Sequence, residues 1–577
     1  MKPRPRRRTF ARAAAPEPGV VRAAWLAGAL AAGAVLAFVA WYVRAERTVP
    51  FWDQAGYWLK TLAIADRLPH DPLGTLGTVL RTIRRDDYNQ LIALPLAPVV
   101  ALLGESRLVY VLAIAVLYGL AAAASIALFT ERAFLRPLRA APLGVALAVV
   151  SIVVAPRLWL PVLVGLPDVA GCIVVPLAWW ALREPLEDAP PRRIVGVAAA
   201  LALLVVLRRW YAYGVLALLL ALGAEQIVRI GLGARGRATL VAALSRLAML
   251  AGAALGFVLL VSGGHGLEMI GTDYGRLYAA YRGPSPLRDA VLALPRDFGW
   301  LRLALAGIGA VLVLRDAATR PLARLLLVQT LLVVVLFGRT QGFAAHHEYL
   351  VLPQLAAFAA VAASSLASVR RAAGAVASLL VVLLSLDFAV QLAPGAQAAL
   401  GPAAAAFGRV AHPPVVRDDF DEVARLVRTV DVLTRDAHVR VYVLSSSELL
   451  NEDVLANAHL ADPSLPDLHD RILPVSHVDA RDGFPWALAQ AGIVVVSDPT
   501  GYHLRPEDQR VIGVPADAIR RGSGIGAAYQ RRPETFVLAD GSTVALFGRL
   551  RDPSPQEVAE LQRALGMSAA PSTREER

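Results

Sequence analysis

Asp53 is the first residue whose surroundings suggest chemistry. It lies in Val49-Pro50-Phe51-Trp52-Asp53-Gln54-Ala55-Gly56-Tyr57-Trp58, about ten residues beyond the first long apolar run. A carboxylate among aromatic rings at a water–lipid boundary is suited to taking a proton from an acceptor hydroxyl. It would also serve as the N-cap of a helix over 54–67. Asp86 and Asp87, in Arg84-Arg85-Asp86-Asp87-Tyr88-Asn89-Gln90, offer carboxylates for an acceptor or a metal, or partners for the adjacent arginines. Asp168 follows Gly165-Leu166-Pro167 at the mouth of another apolar run. An acid there is either functional or a helix cap. Arg208 and Arg209 interrupt a hydrophobic stretch. Bidentate phosphate binding would explain them, as would snorkelling to lipid headgroups. His346, His347 and Glu348 form a further cluster. Their spacing is not HExxH and no further ligands lie nearby, so phosphate contact by His347, or anchoring of Tyr349, is favoured over zinc. Asp387, in the last apolar run, reads as structural. No Walker A, GxSxG, SxxK or CxxC motif stands where it would need to.

These residues need a frame, and composition says which. Of 577 residues, 56% are apolar and 18% charged, and mean hydropathy is +0.52. Soluble domains carry about 25% charged residues, so an ordinary soluble enzyme is excluded, as are a disordered chain and a collagen. The single cysteine, Cys172, excludes an internal disulfide framework and any cysteine-based metal site. Apolar runs recur at 23–43, 108–130, 141–156, 169–182, 194–207, 211–228, 245–262, 301–314, 322–338, 349–368 and 372–391. Together they predict an all-α polytopic membrane bundle of about 11 transmembrane helices.

Charge sets the orientation. Arg4, Arg6, Arg7, Arg8 and Arg12 precede the first run, and short loops carry Arg132, Arg136 and Arg139; Arg192 and Arg193; Arg229, Arg235 and Arg237; Arg315, Arg320 and Arg324; Arg370 and Arg371. The positive-inside rule makes these faces cytoplasmic. The basic N-terminus, 1–22, is then inside, and residues 392–577 lie outside as a C-terminal extracytoplasmic α/β domain. Residues 1–391 hold 39 Lys and Arg against 21 Asp and Glu, whereas residues 392–577 hold 19 against 25. An acidic tail argues against nucleic-acid binding.

Within the membrane domain, 23–391, two outer loops stand out, 44–106 and 263–300. In the second, Tyr274, Leu277, Tyr278 and Tyr281 recur at helical spacing and predict an amphipathic helix lying on the membrane surface. Residues 53–67 read the same way, with Tyr57, Trp58, Leu62 and Ala65 on one face. In the tail, 419–431 reads as helix, and Val439–Leu444 and Ile493–Val496 as strands. Phe536–Ala539 and Val544–Phe547 flank Asp540-Gly541, a hairpin signal.

The pattern resembles the membrane-embedded glycosyltransferases of the GT-C superfamily, especially bacterial relatives of the dolichyl-phosphate-mannose protein mannosyltransferases and the aminoarabinose lipid A transferases. In that family an acid follows the first span in a long outer loop, as Asp53-Gln54 does here, with Tyr57 following. The Tyr88-Asn89-Gln90-Leu91 segment, Pro95, Pro98 and Gly104-Glu105-Ser106-Arg107 look like the family's approach to its second span. His347-Glu348-Tyr349-Leu350-Val351-Leu352-Pro353 looks like its aromatic or His-Tyr-Leu-Leu-Pro run. Gln54 stands where many members carry a second acid, which removes one carboxylate from a two-carboxylate metal site. The usual Pro-Pro is missing near Tyr88.

The resemblance covers roughly 22–391. It implies inverting transfer of a hexosyl or pentosyl group from a polyprenyl-phosphate sugar donor to a lipid, glycan or protein acceptor, on the periplasmic face of a bacterial inner membrane. Asp53 would be the base. Tyr57, Asp86, Asp87, Asp168, Arg208, Arg209, His346, His347 and Glu348 would bind substrate. No residue is assigned to a metal; no cofactor is certain, and a divalent Mg or Mn ion is compatible. The competing readings are a lipid-linked-glycan flippase, an O-antigen-ligase-like transferase with a diphosphate-linked donor, and a non-catalytic membrane subunit.

Overall fold

The computed structural model describes residues 18–231, 237–368, 373–435 and 439–567. Arg4, Arg6, Arg7, Arg8, Arg12, Arg235, Arg370 and Arg371 lie outside the described residues. Each predicted apolar run has a helix at its place. The elements are α1 (Pro18–Ala45), α2 (Trp52–Arg67), α3 (Pro72–Ile83), α4 (Ala97–Leu103), α5 (Arg107–Leu135), α6 (Pro142–Leu163), α7 (Pro167–Leu182), α8 (Pro191–Leu207), α9 (Tyr211–Gly231) and α10 (Arg237–Ser262). They continue with α11 (Gly264–Gly271), α12 (Pro286–Arg315), α13 (Arg320–Gly338), α14 (Leu352–Leu366) and α15 (Ala373–Leu392). Eight of these are long and apolar enough to cross a membrane, while α7 and α14 are shorter apolar helices.

Helix α14 lies at the centre of the bundle because its side chains are small. Ala356, Ala357 and the run Ala359–Ala363 are buried. Small residues let neighbouring backbones approach closely. Gly309 of α12 faces the Phe358 carbonyl so tightly that an added Cβ would lie 1.8 Å from it, and Gly144 of α6 faces Ser364 in the same way. Helix α12 breaks at Gly299, whose φ is 75°, and the backbone of Phe407 and Gly408 fills the space a side chain would need. The break separates the outer piece, 286–298, from the spanning piece.

The outer loops depart from two expectations. Tyr274–Tyr281 forms a single turn, Tyr274–Leu277, and a 3₁₀ turn, Ala279–Tyr281, rather than a surface helix. Tyr274 and Tyr278 turn inward onto Arg209, and Tyr281 onto Arg481. Helix α2 does form, but Tyr57, Trp58, Thr61, Ile64 and Ala65 are buried against protein. Trp58 stacks on Tyr110 of α5 at 6.2 Å and donates Nε1–H to the Glu105 carbonyl. The helix suited to a lipid boundary is α3, where Leu73, Leu76 and Leu80 form an exposed apolar row.

The tail holds α16 (Phe420–Arg435), β1 (Val441–Leu444), β2 (Ile493–Asp498), α17 (Arg510–Arg521), β3 (Tyr529–Val537), β4 (Thr543–Arg549) and α18 (Pro555–Leu565). The sheet order is β1-β2-β4-β3, with β1 parallel to β2 and the other pairs antiparallel. The hairpin turns at Asp540-Gly541: Gly541 takes φ 82° and Leu538 N–H donates to the Ser542 carbonyl. Helix α16 covers one face of the sheet, and α17 and α18 the other. The strap before α2 belongs to this tail. Val49 and Phe51 are buried in its apolar core. Arg47 N–H donates to the Val415 carbonyl, and Arg417 N–H donates to the Arg47 carbonyl. These contacts put the 44–106 loop and the tail on one side of the bundle.

Candidate functional site

The site begins where two helices fail to join. Helix α8 ends at Leu207, Arg208 is extended with φ −153°, and α9 starts at Tyr211. Two arginines are thereby placed at the ends of neighbouring helices. Arg208 is 4% exposed, so it does not snorkel to lipid. Its Nε meets Asp168 Oδ1 at 2.5 Å, its Nη2 donates to Asp53 Oδ2 at 3.1 Å, and its Nη1 donates to the Tyr57 hydroxyl. The rings of Tyr57 and Tyr88 each lie 5.0 Å from the guanidinium, within cation–π range. Asp168 is fully buried. A buried carboxylate of this kind needs a paired charge, which Arg208 supplies. Asn89 Nδ2 donates to the Val206 carbonyl at 2.8 Å and ties the first outer loop to the end of α8.

Arg209 is more accessible. It pairs with Asp87, donates to the Tyr278 hydroxyl, and lies 5.0 Å from the Tyr274 ring and 5.3 Å from the Tyr278 ring. His265 Nε2 approaches Asp87 Oδ1 at 3.2 Å. The Asp86–Asp87 pair is split. Asp86 turns away to Lys60, 3.4 Å distant, and accepts from Tyr88 N–H at 2.7 Å, outside the cavity described next.

The His346–Glu348 cluster is also split. His346 and His347 line the cavity, and burial pushes both imidazoles below their ordinary range. His347 Nδ1 accepts from Ala344 N–H at 3.3 Å. Glu348 points the other way, into the bundle, 3.3 Å from Arg157 Nη1. There burial pushes its carboxyl up to about 8. Glu348 and Asp86 thus do not reach the cavity. Asp168 and Tyr57 reach it only through Arg208.

The cavity measures about 900 Å³, the size of a small-molecule site. Asp53, Asp87, Arg208 and Arg209 form its polar floor, and Val205, Leu216, Val258, Met269 and Ile270 form an apolar wall. The roof comes from the tail: Glu452, His477, Arg481 and His503. Sequence reasoning did not find the roof. Its residues sit in separate short helices and loops some four hundred positions from Asp53, with no spacing to join them. Among the described residues no three His, Cys, Asp or Glu converge as a metal site.

No family model and no curated protein matches this chain. Solved structures do. The fold is that of ArnT. The crystal structure of ArnT from Cupriavidus metallidurans bound to undecaprenyl phosphate matches with a TM-score of 0.50 at 14% identity, covering 90% of this chain and 97% of that one. The apo structure of the same ArnT gives a TM-score of 0.48 at 15% identity, covering 94% and 99%. At such identities the likeness to ArnT is one of fold. It bears out the expected architecture, a polytopic helical bundle followed by a small C-terminal sheet.

Proposed function

We propose that the chain is an integral-membrane glycosyltransferase that moves a sugar from a polyprenyl-phosphate donor to an acceptor on the outer face of a bacterial inner membrane. The observation that carries this reading is the make-up of one cavity. It holds a carboxylate, Asp53, one-third exposed with Oδ2 bound by Arg208, the guanidiniums of Arg208 and Arg209 beside it on the floor, and an apolar wall. A polyprenyl chain would rest along Val205, Leu216, Val258 and Ile270, with its phosphate at the floor. The ArnT-like fold supports the same assignment.

In this mechanism Asp53 takes the proton of the acceptor hydroxyl through Oδ1. The hydroxyl oxygen bonds to the anomeric carbon as the bond from that carbon to the phosphate oxygen breaks. Attack from the side opposite the phosphate inverts the configuration. Polyprenyl phosphate leaves with the electron pair. Arg208 is committed to two carboxylates, so it holds Asp53 and Asp168 in place. Arg209 is less enclosed and stabilises the departing phosphate, with the neutral His346 and His347 as further hydrogen-bonding groups. Tyr274 and Tyr278 keep Arg209 aimed at the floor.

The test is transfer of radiolabelled sugar by the purified protein in liposomes. A panel of polyprenyl-phosphate sugars serves as donors and native envelope extract as acceptor, with Asp53→Asn alongside. Label transferred by the wild type and lost in Asp53→Asn supports the reading. Transfer untouched by the substitution removes Asp53 as base. No transfer from any lipid-monophosphate donor by folded protein overturns the donor class.

A further inference from the structure

The roof of the cavity is built around an aromatic residue in an unfavourable backbone conformation. Trp52 has φ 48°, in the left-handed region that bulky residues avoid. The tail holds it there. Trp52 N–H donates to Asp453 Oδ2 at 2.5 Å, Asn457 Nδ2 donates to the Pro50 carbonyl at 3.2 Å, and Phe51 is sunk in the tail's core. Strain at a single residue, clamped from a distant part of the chain, is a mark of a positioned functional group. The clamp turns the indole into the cavity, 4.7 Å from the His503 ring and 6.5 Å from the His477 ring. Its Nε1–H is buried without a hydrogen-bond partner among the described residues. The next residue in the chain is Asp53.

The groups around the indole are polar but balanced. His503 Nδ1 lies 3.1 Å from the Ser446 carbonyl and 3.0 Å from Gln509 Nε2. Gln509 already gives its two amide hydrogens to Ser446 Oγ and the His477 carbonyl. Nδ1 is therefore the protonated nitrogen, donating to Ser446, and Nε2 is left as an acceptor. Burial pushes this imidazole down to about 4, so it is neutral near pH 7. His477 Nε2 meets Glu452 Oε2 at 2.7 Å. Arg481 is closed off by Asp482 on one edge and by the Tyr281 hydroxyl on the other. A phosphate would meet Glu452 here, and an alkyl chain would leave the polar groups unsatisfied. A pyranose suits both demands: an apolar C–H face for the indole, and hydroxyls that both donate and accept.

We propose that this roof is a saccharide subsite for the acceptor, with Trp52 as the stacking platform and His503 and the Glu452–His477 pair as hydroxyl partners. The assignment to the acceptor rather than the donor rests on the transferase reading above. The donor's lipid requires the apolar wall, and the roof belongs to the tail. Asp453 is a positioning residue, acting through Trp52.

The probe is deacylated envelope glycolipid, carrying sugars but no acyl chains, and the readout is saturation-transfer NMR on the detergent-solubilised full chain. Saturation should pass to pyranose ring protons, and His503→Ala and His503→Gln should each weaken binding about tenfold. Asp453→Asn should do the same without touching the sugar, and should raise the half-saturating concentration of acceptor extract more than that of donor. Absence of saturation on ring protons, or equal binding by wild type and all three variants, overturns the subsite. The two readings fail separately. Sugar binding with no transfer from any donor sinks the transferase and leaves the subsite. Transfer with an acceptor half-saturation unmoved by the variants sinks the subsite and leaves the transferase.

Discussion

Two buried charge arrays lie within this molecule, alike in composition and opposite in setting. In the first, Arg208 is held between Asp53 and Asp168. In the second, Arg157 is held between Asp297, at 3.8 Å, and Glu348, at 3.3 Å, and its Nε donates to the Asp297 carbonyl. Arg302 extends the second array through Asp387, Ser151 and Val154. Both put a guanidinium between two acids. The side chains of Asp297 and Glu348 are only 5% and 3% exposed, against 33% for Asp53. The void beside Arg157 is about 20 Å³, against about 900 Å³ beside Asp53. Ionisable residues within a membrane bundle are functional candidates by default, and here access to a cavity separates the two arrays. The closed one joins helices; the open one leaves a carboxylate oxygen facing the space a substrate would occupy.

Substitution should therefore act on different quantities in the two arrays. Asp53→Asn should cut transfer by about 10²–10⁴-fold while leaving the thermal midpoint in detergent near that of the wild type. An equal loss of midpoint and rate would make Asp53 structural, like Asp297. Arg157→Met should do the converse. It leaves Glu348 and Asp297 buried with one fewer partner, a cost of about 3–5 kcal/mol, read as a fall in midpoint or yield. Within the open array, Arg209→Lys keeps the charge and loses the planar fork. It should lower kcat about tenfold, a smaller effect than Asp53→Asn because the positive charge beside Asp87 is kept. An unchanged rate would move the phosphate contact away from Arg209.

The open array was legible in the sequence, and the reason is local. An acid between Trp52 and Tyr57, and two adjacent arginines in an apolar stretch, break a hydrophobic pattern within a few residues. The spans were legible for the same reason, as was the Asp540-Gly541 hairpin, whose turn chemistry is carried by adjacent residues. What failed was whatever depended on distant partners. Glu348 and His347 are neighbours in sequence, but the 3₁₀ turn His347–Leu350 sends one to Arg157 and the other to the cavity. The helical spacing of Tyr274, Tyr278 and Tyr281 was real, yet the first two rings turn onto Arg209 and the third onto Arg481, and the helix stops after one turn. Trp52 stood in full view, but nothing near it in sequence reveals that Asp453 holds it in place.

The pH dependence of stability separates the arrays without altering the site. Burial raises the Glu348 carboxyl from its ordinary 4.5 to about 8, against the pull of Arg157. Between those values the folded chain binds more protons than the unfolded one, so stability falls as pH rises through the window and levels off above about 8. The slope is bounded by about 1.4 kcal/mol per pH unit. A thermal midpoint in detergent that declines from pH 5 to pH 8 is expected, with Glu348→Gln flattening the decline because the amide stays neutral throughout. The same substitution should leave the pH profile of transfer in place, since Glu348 does not face the cavity. A wild-type midpoint with no slope that the amide removes would mean that Arg157 outweighs burial and keeps Glu348 ionised. The closed array would then be held by a full ion pair, as the open one is, and access alone would distinguish them.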